Sequence, residues 1–161
     1  MLGKEYFSKD IFEFLILLNR FDVKYAIVGG EAVIYYGYAR LTGDIDIYYS
    51  TDTNNIEKLW QTLSVFWDND VPGISSPEIL NKKGMVFQFG VPPNRIDLIN
   101  DIDGVDFEEV WQNIVKEHIK SDENEAIIIN IIGIKELIKN KAKSNRFKDR
   151  DDLKYLKAKI K

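Results

Sequence analysis

Residues 44–48, Asp44-Ile45-Asp46-Ile47-Tyr48, alternate acidic and apolar side chains with a period of two. Successive side chains of an extended strand point to opposite faces, so this alternation predicts a half-buried β-strand with its isoleucines on one face and both carboxylates on the other. Two carboxylates on one strand face lie about 6 to 7 Å apart along the backbone and repel each other. A bound divalent cation relieves that repulsion.

The flanking sequence says what the strand packs against. Residues 24–28 read as a short buried strand, Gly29-Gly30 follow, and residues 31–36 read as a helix that stops at Gly37. Ser8 predicts the N-cap of a helix to about Arg20, in which Ile11, Phe12, Phe14, Leu15, Leu17 and Leu18 leave little polar face. Asp52 or Thr53 predicts the cap of a helix through Trp60 and Leu63, and residues 68–76, with Pro72 and Gly73, read as a loop. Residues 85–89 and 95–99 read as two strands of a hairpin joined by residues 90–94. Residues 107–111 read as a helical turn and 126–130 as a strand. The pattern turns helical from about residue 131, and residues 143–147 separate that stretch from a final helix over 148–159. With 161 residues, 45% hydrophobic and no repeat or low-complexity linker, the expectation is one α+β domain over 1–161. Its core would be 24–100, with a short mixed sheet, helices packed on one face, and a basic C-terminal helical segment over 131–161 near the cleft.

Composition narrows the chemistry. The chain has no cysteine and one histidine, which excludes a disulfide framework and leaves too few ligands for structural zinc, so any metal here is a hard cation on oxygen, with magnesium first. The net charge of −4 hides a division: residues 1–134 hold 11 Lys+Arg against 22 Asp+Glu, a net −11, and residues 135–161 hold 11 against 4, a net +7. The longest apolar run, residues 11–18, is interrupted by Glu13 and falls short of the about 20 residues a membrane span needs. No cleavage site follows it, and a cytoplasmic protein without membrane contact is expected.

Four pairs of aspartates are separated by one residue, at 44/46, 68/70, 101/103 and 149/151. Only the first lies in a strand-like alternation. The pair Asp101/Asp103 does not make a calcium loop, because Gly104 falls too early. Gly29-Gly30 stand where a strand opens into a helix, which lets a phosphate approach backbone N–H groups, and the absence of a following Gly-Lys-Ser/Thr excludes a Walker loop. A third aspartate, Asp97, sits in the strand Arg95-Ile96-Asp97-Leu98-Ile99. A phosphate cradle beside three carboxylates on adjacent strands is the arrangement for metal-assisted phosphoryl or nucleotidyl transfer.

Val28-Gly29-Gly30-Glu31-Ala32, then Gly37, Arg40, Thr42 and Asp44-Ile45-Asp46-Ile47, with the later Arg95-Ile96-Asp97-Leu98, resemble the signature of the DNA polymerase beta-type nucleotidyltransferase superfamily. Glu136-Leu137-Ile138, Lys141, Arg146, Lys148-Asp149 and Asp152-Leu153 are similar to the C-terminal pattern of small stand-alone bacterial members related to the abortive-infection toxin group. The resemblance runs over about residues 24 to 156. Phe147 departs from it where relatives often have proline, and the Gly-Gly pair, in place of Gly-Ser, argues against the small antitoxin-type members.

The resemblance implies a magnesium-dependent enzyme, with two ions held by Asp44, Asp46 and Asp97, and with Asp97 helping to activate the attacking hydroxyl. Gly29 and Gly30 would hold the triphosphate. It implies an NTP donor, a hydroxyl acceptor on tRNA, protein or a small molecule, and, by way of the toxin group, an antitoxin protein as partner. Arg40 and Thr42 are either phosphate contacts or plain loop residues. Lys141 and Arg146 either face the leaving pyrophosphate or belong to a solvated helix face. Asp149 and Asp152 either favour a helix N-terminus or orient Lys141 and Arg146. The competing reading is a catalytically inactive module of the same fold that binds a partner protein or RNA through residues 135–161.

Overall fold

The computed structural model describes residues 3–120 and 126–161. Helix α1 (Lys9–Arg20) begins at Ser8, whose hydroxyl accepts from the Ile11 N–H at 3.4 Å, and it buries Ile11, Phe14, Leu15 and Leu18. Strand β1 (Tyr25–Val28) is buried along its whole length. It runs directly into α2 (Gly29–Tyr35), so the glycine pair forms the first turn of the helix rather than a linker before it. Strand β2 (Asp44–Tyr49) has the predicted alternation, and α3 (Thr53–Phe66) is capped by Asp52, which accepts from the Asn55 N–H at 2.8 Å. Strands β3 (Val86–Phe89) and β4 (Arg95–Ile99) form the hairpin. Helix α4 (Phe107–Gln112), strands β5 (Val115–Lys120) and β6 (Ala126–Ile131), and helices α5 (Ile134–Ser144) and α6 (Phe147–Lys159) complete the chain.

The fold is α+β: six strands in one mixed sheet, ordered β3-β4-β2-β1-β6-β5, with six α-helices among the described residues. β1 runs antiparallel to β2, while β2 with β4 and β1 with β6 are parallel pairs. Parallel neighbours need a crossover, which α3 provides between β2 and the hairpin. The β2/β4 register sets Asp46 opposite Asp97 and Asp44 opposite Arg95. It also sets Ile45 opposite Ile96 and Ile47 opposite Leu98, and these four, with Tyr25 and Ile27 of β1, are buried on the other face. Helices α1 and α3 cover that apolar face. Phe14 meets Phe66 edge-on at 5.2 Å between ring centroids, and Trp67, just past α3, lies 5.7 Å from Phe89 of β3. Phe14 and Phe89 are buried, and full burial of such a side chain contributes about 1.5–3 kcal/mol.

Two features differ from the expectation. The helices are not confined to one face: Phe107 of α4 packs edge-on against Tyr48, which shares the carboxylate face of β2, with ring centroids 5.2 Å apart. Strand β5 has no counterpart in the predicted elements. It lies at the sheet edge, only Ile119 of its six residues is buried, and so it carries almost no hydrophobic signal. No helix among the described residues is long and apolar enough to cross a membrane.

Candidate active site at a three-carboxylate cluster

The pleat of β2 and its parallel register with β4 bring Asp44, Asp46 and Asp97 together, each offering a carboxylate oxygen within 4.8 Å of the others. Arg95, two residues before Asp97 and on the same strand face, spans the cluster. Its Nη2 donates to Asp44 Oδ2 at 2.6 Å and to Asp97 Oδ2 at 3.1 Å, and its Nε donates to Asp97 Oδ1 at 2.8 Å. Gln88, opposite Asp97 on β3, donates to Asp97 Oδ2 at 3.2 Å, and the Thr42 hydroxyl donates to Asp44 Oδ1 at 3.2 Å. Burial raises the Asp97 pKa, and the bonds from Arg95 and Gln88 pull it back only part of the way.

Asp46 stands apart within the cluster. Among the described residues no hydrogen bond or ion pair reaches its carboxylate. Burial, then the charges of Asp44 and Asp97, push it up to about 7 against the more distant pull of Lys141 and Lys148. A carboxylate with its charge uncompensated beside two others is the donor set a hard divalent cation suits: all oxygen, anionic and converging. Asp44, Asp46 and Asp97 therefore fit magnesium.

Gly29 is what lets Asp46 sit there. It has φ +65°, and a Cβ at this position would lie 2.0 Å from Asp46 Oδ2. Gly29→Ala is expected to cost about 1–2 kcal/mol through the left-handed backbone alone, and to displace the Asp46 carboxylate as well. Urea denaturation would read the first effect and loss of magnesium binding the second. Gly30 is overlaid by two predicted site residues, since its Cβ would come within 2.9 Å of Arg40 Nη2 and of Thr42 Oγ1. Arg40 and Thr42 thus lie against the glycine turn.

The basic C-terminal segment enters the site through an ion network between α5 and α6. Lys141 is 2% exposed, and its Nζ lies 2.9 Å from Asp149 Oδ1 and 3.0 Å from Asp152 Oδ2. Asp149 also accepts from the Ser144 hydroxyl at 2.7 Å and from Arg146 Nε at 2.8 Å. Burial opposes its charge, yet the bonds from Lys141, Arg146 and Ser144 outweigh that and hold its carboxyl below the ordinary carboxylate range. Asp152 pairs a second time, with Arg40 (Nε to Oδ1 3.0 Å, Nη2 to Oδ2 3.1 Å), which ties α6 to the loop over Gly30. The Lys141 ammonium is therefore committed to Asp149 and Asp152, while Arg146 remains largely exposed at the cleft.

These parts line one cleft of about 930 Å³, bordered by Gly29, Gly30, Arg40 and Thr42, by the three carboxylates, and by Ser144, Arg146 and Lys148. All the residues expected at the site border this cleft except Asp149 and Asp152, which lie behind it and hold its cations. Arg95 and Gln88 were not among the residues expected. Period-two spacing already set Arg95 on the face of Asp97, whereas Gln88 is placed by cross-strand register that the sequence does not reveal. No family model matches the chain, and no curated protein matches it at a significant level.

Proposed function

We propose that the chain is a magnesium-dependent nucleotidyltransferase of the DNA polymerase beta type, transferring a nucleoside monophosphate from an NTP to a hydroxyl acceptor. The observation that carries this reading is the convergence of Asp44, Asp46 and Asp97 within 4.8 Å of one another, directly against Gly29. These three aspartates would hold magnesium, which when bound supplies charge stabilisation at the α-phosphate and at the attacking and leaving oxygens. The acceptor oxygen attacks the α-phosphorus and forms a new O–P bond. The bond from that phosphorus to the bridging oxygen breaks, and pyrophosphate leaves with the electron pair.

Asp97 would take the acceptor proton, standing beside the metal position and within reach of the cleft. Arg40 is held in place by Asp152 beside the glycine turn, where its remaining N–H groups are available to phosphate oxygens. Arg146 and Lys148, which also border the cleft, offset charge on the departing pyrophosphate.

The test is incubation with each labelled NTP, magnesium, and tRNA, protein extract or small hydroxyl compounds in turn. Label moves to an acceptor with the wild type and is lost with Asp44→Ala/Asp46→Ala. No transfer, together with no NTP binding by calorimetry in magnesium, would sink the proposal. Partner binding that survives loss of all three aspartates would instead identify a non-catalytic module.

A further inference from the structure

We propose that Arg95 is an internal counter-ion that competes with the divalent cation for the carboxylate cluster and is drawn off by a triphosphate, so that donor and metal favour each other's binding; this rests on the nucleotidyltransferase reading of the same cleft. The β2/β4 register places Arg95 opposite Asp44, and the strand pleat places it on the face of Asp97. One guanidinium therefore reaches both carboxylates, at 2.6, 2.8 and 3.1 Å. Those carboxylates are two of the three that converge on the metal position.

An arginine cannot lose its charge to make way, because it stays protonated throughout the accessible pH range. It has to move. Its side chain is about a quarter exposed at the cleft (28%), and among the described residues its side-chain partners are Asp44 and Asp97 of the cluster. The other cleft cations differ in this respect. Arg40 is held by Asp152, and Lys141 by Asp149 and Asp152, carboxylates that lie outside the cluster. Arg95 alone among these three is paired with groups that the metal would claim.

A phosphate offers the planar guanidinium a bidentate partner of equal quality, so a triphosphate entering the cleft can take Arg95 from Asp44 and Asp97 and leave both for metal. Linkage makes the effect reciprocal: whatever factor the anion adds to metal affinity, the metal adds to anion affinity.

Calorimetry with the full chain tests the two halves separately. Titrated with Mn2+ alone, Arg95→Gln is expected to bind about tenfold more tightly than the wild type, because its carboxylates start without a competing cation. Titrated with inorganic triphosphate in EDTA, the same variant is expected to bind about tenfold more weakly. A folded Arg95→Gln that binds Mn2+ no more tightly than the wild type, or metal-free triphosphate equally well, overturns the inference. Should circular dichroism show that variant unfolded, Arg95→Lys takes its place. It keeps the charge but loses the fork, so its Mn2+ affinity must exceed that of the wild type, and equality overturns the inference. If the Mn2+ result holds while no NTP label is ever transferred, the nucleotidyltransferase reading fails and the counter-ion role stands. If label is transferred while Mn2+ affinity is unchanged, the enzyme reading stands and the counter-ion role fails.

Discussion

Asp46→Asn is expected to abolish the proposed nucleotidyl transfer, by a factor of about a thousand or more, and at the same time to make the metal-free chain more stable above neutral pH. Asparagine keeps the shape beneath Gly29 but removes the charge that a cation would bind. The gain in stability follows from the raised pKa. Asp46 holds its proton up to about 7 in the folded chain, whereas in the unfolded chain a carboxyl ionises near about 4. Between those values the native state binds more protons, so the stability that protonated Asp46 supports is complete below about pH 4 and is lost as pH rises through 7. Asparagine does not titrate, and the variant escapes that loss. Allowing for the carboxylate's partial access to water, the difference at pH 8 is about 2 kcal/mol. Urea midpoints of the two proteins should lie closer together at pH 4.5, near the lower edge of that window, and separate further at pH 8. Added magnesium should close the gap by stabilising only the wild type. A variant less stable than the wild type at both pH values would contradict this account of the cluster.

Lys141→Met has the opposite character. It leaves Asp149 and Asp152, both essentially inaccessible to solvent, short of the cation they share, and removing one partner of such a buried network costs about 3–5 kcal/mol. Arg146→Ala, whose side chain is mostly exposed, should cost far less, although it touches the same Asp149. The pH dependence again has a definite sign. In the wild type the depressed Asp149 pKa contributes stability that is present above about pH 4 and is lost only as the pH falls through its lower folded value. Without Lys141 the buried carboxylates favour protonation, so the deficit of the variant should shrink on going from pH 8 to pH 4.5. A deficit of under about 1 kcal/mol, or one that grows in acid, would show that Lys141 is not the keystone of the α5–α6 junction.

Those two variants separate what the sequence reveals from what it hides. The carboxylate strand was legible because burial on one face leaves a period-two pattern, and the Ser8 and Asp52 caps because an N-cap oxygen sits beside the donor it serves. Asp97 was legible for a related reason, standing in a second strand with the same mixture of acid and β-branched apolar residues. The pairing of Asp152 with Arg40, 112 residues away, leaves no local trace, and neither does the depth of Lys141. A lysine every few residues reads as a solvated helix face, and only the packing of α6 on α5 turns one of them inward. Strand β5 was lost because its outward residues Lys116, His118 and Lys120 and its edge position give it no apolar period.

The parallel pairing of β1 with β6, through Ile27 and Ile131 and the bond from the Ile132 N–H to the Ile27 carbonyl at 3.0 Å, orders events during folding. One edge of β1 is satisfied early, by β2, while its other edge waits for a strand synthesised about a hundred residues later. Long-range contacts of this kind are slow to form, because the loop must close before any pairing rewards it. A nascent chain that has emerged only as far as β4 already carries Asp44, Asp46 and Asp97 but lacks Lys141, Arg146 and Lys148. The carboxylates thus precede the cations of α5 and α6 along the chain, and the activity proposed for the cleft is expected to require both helices.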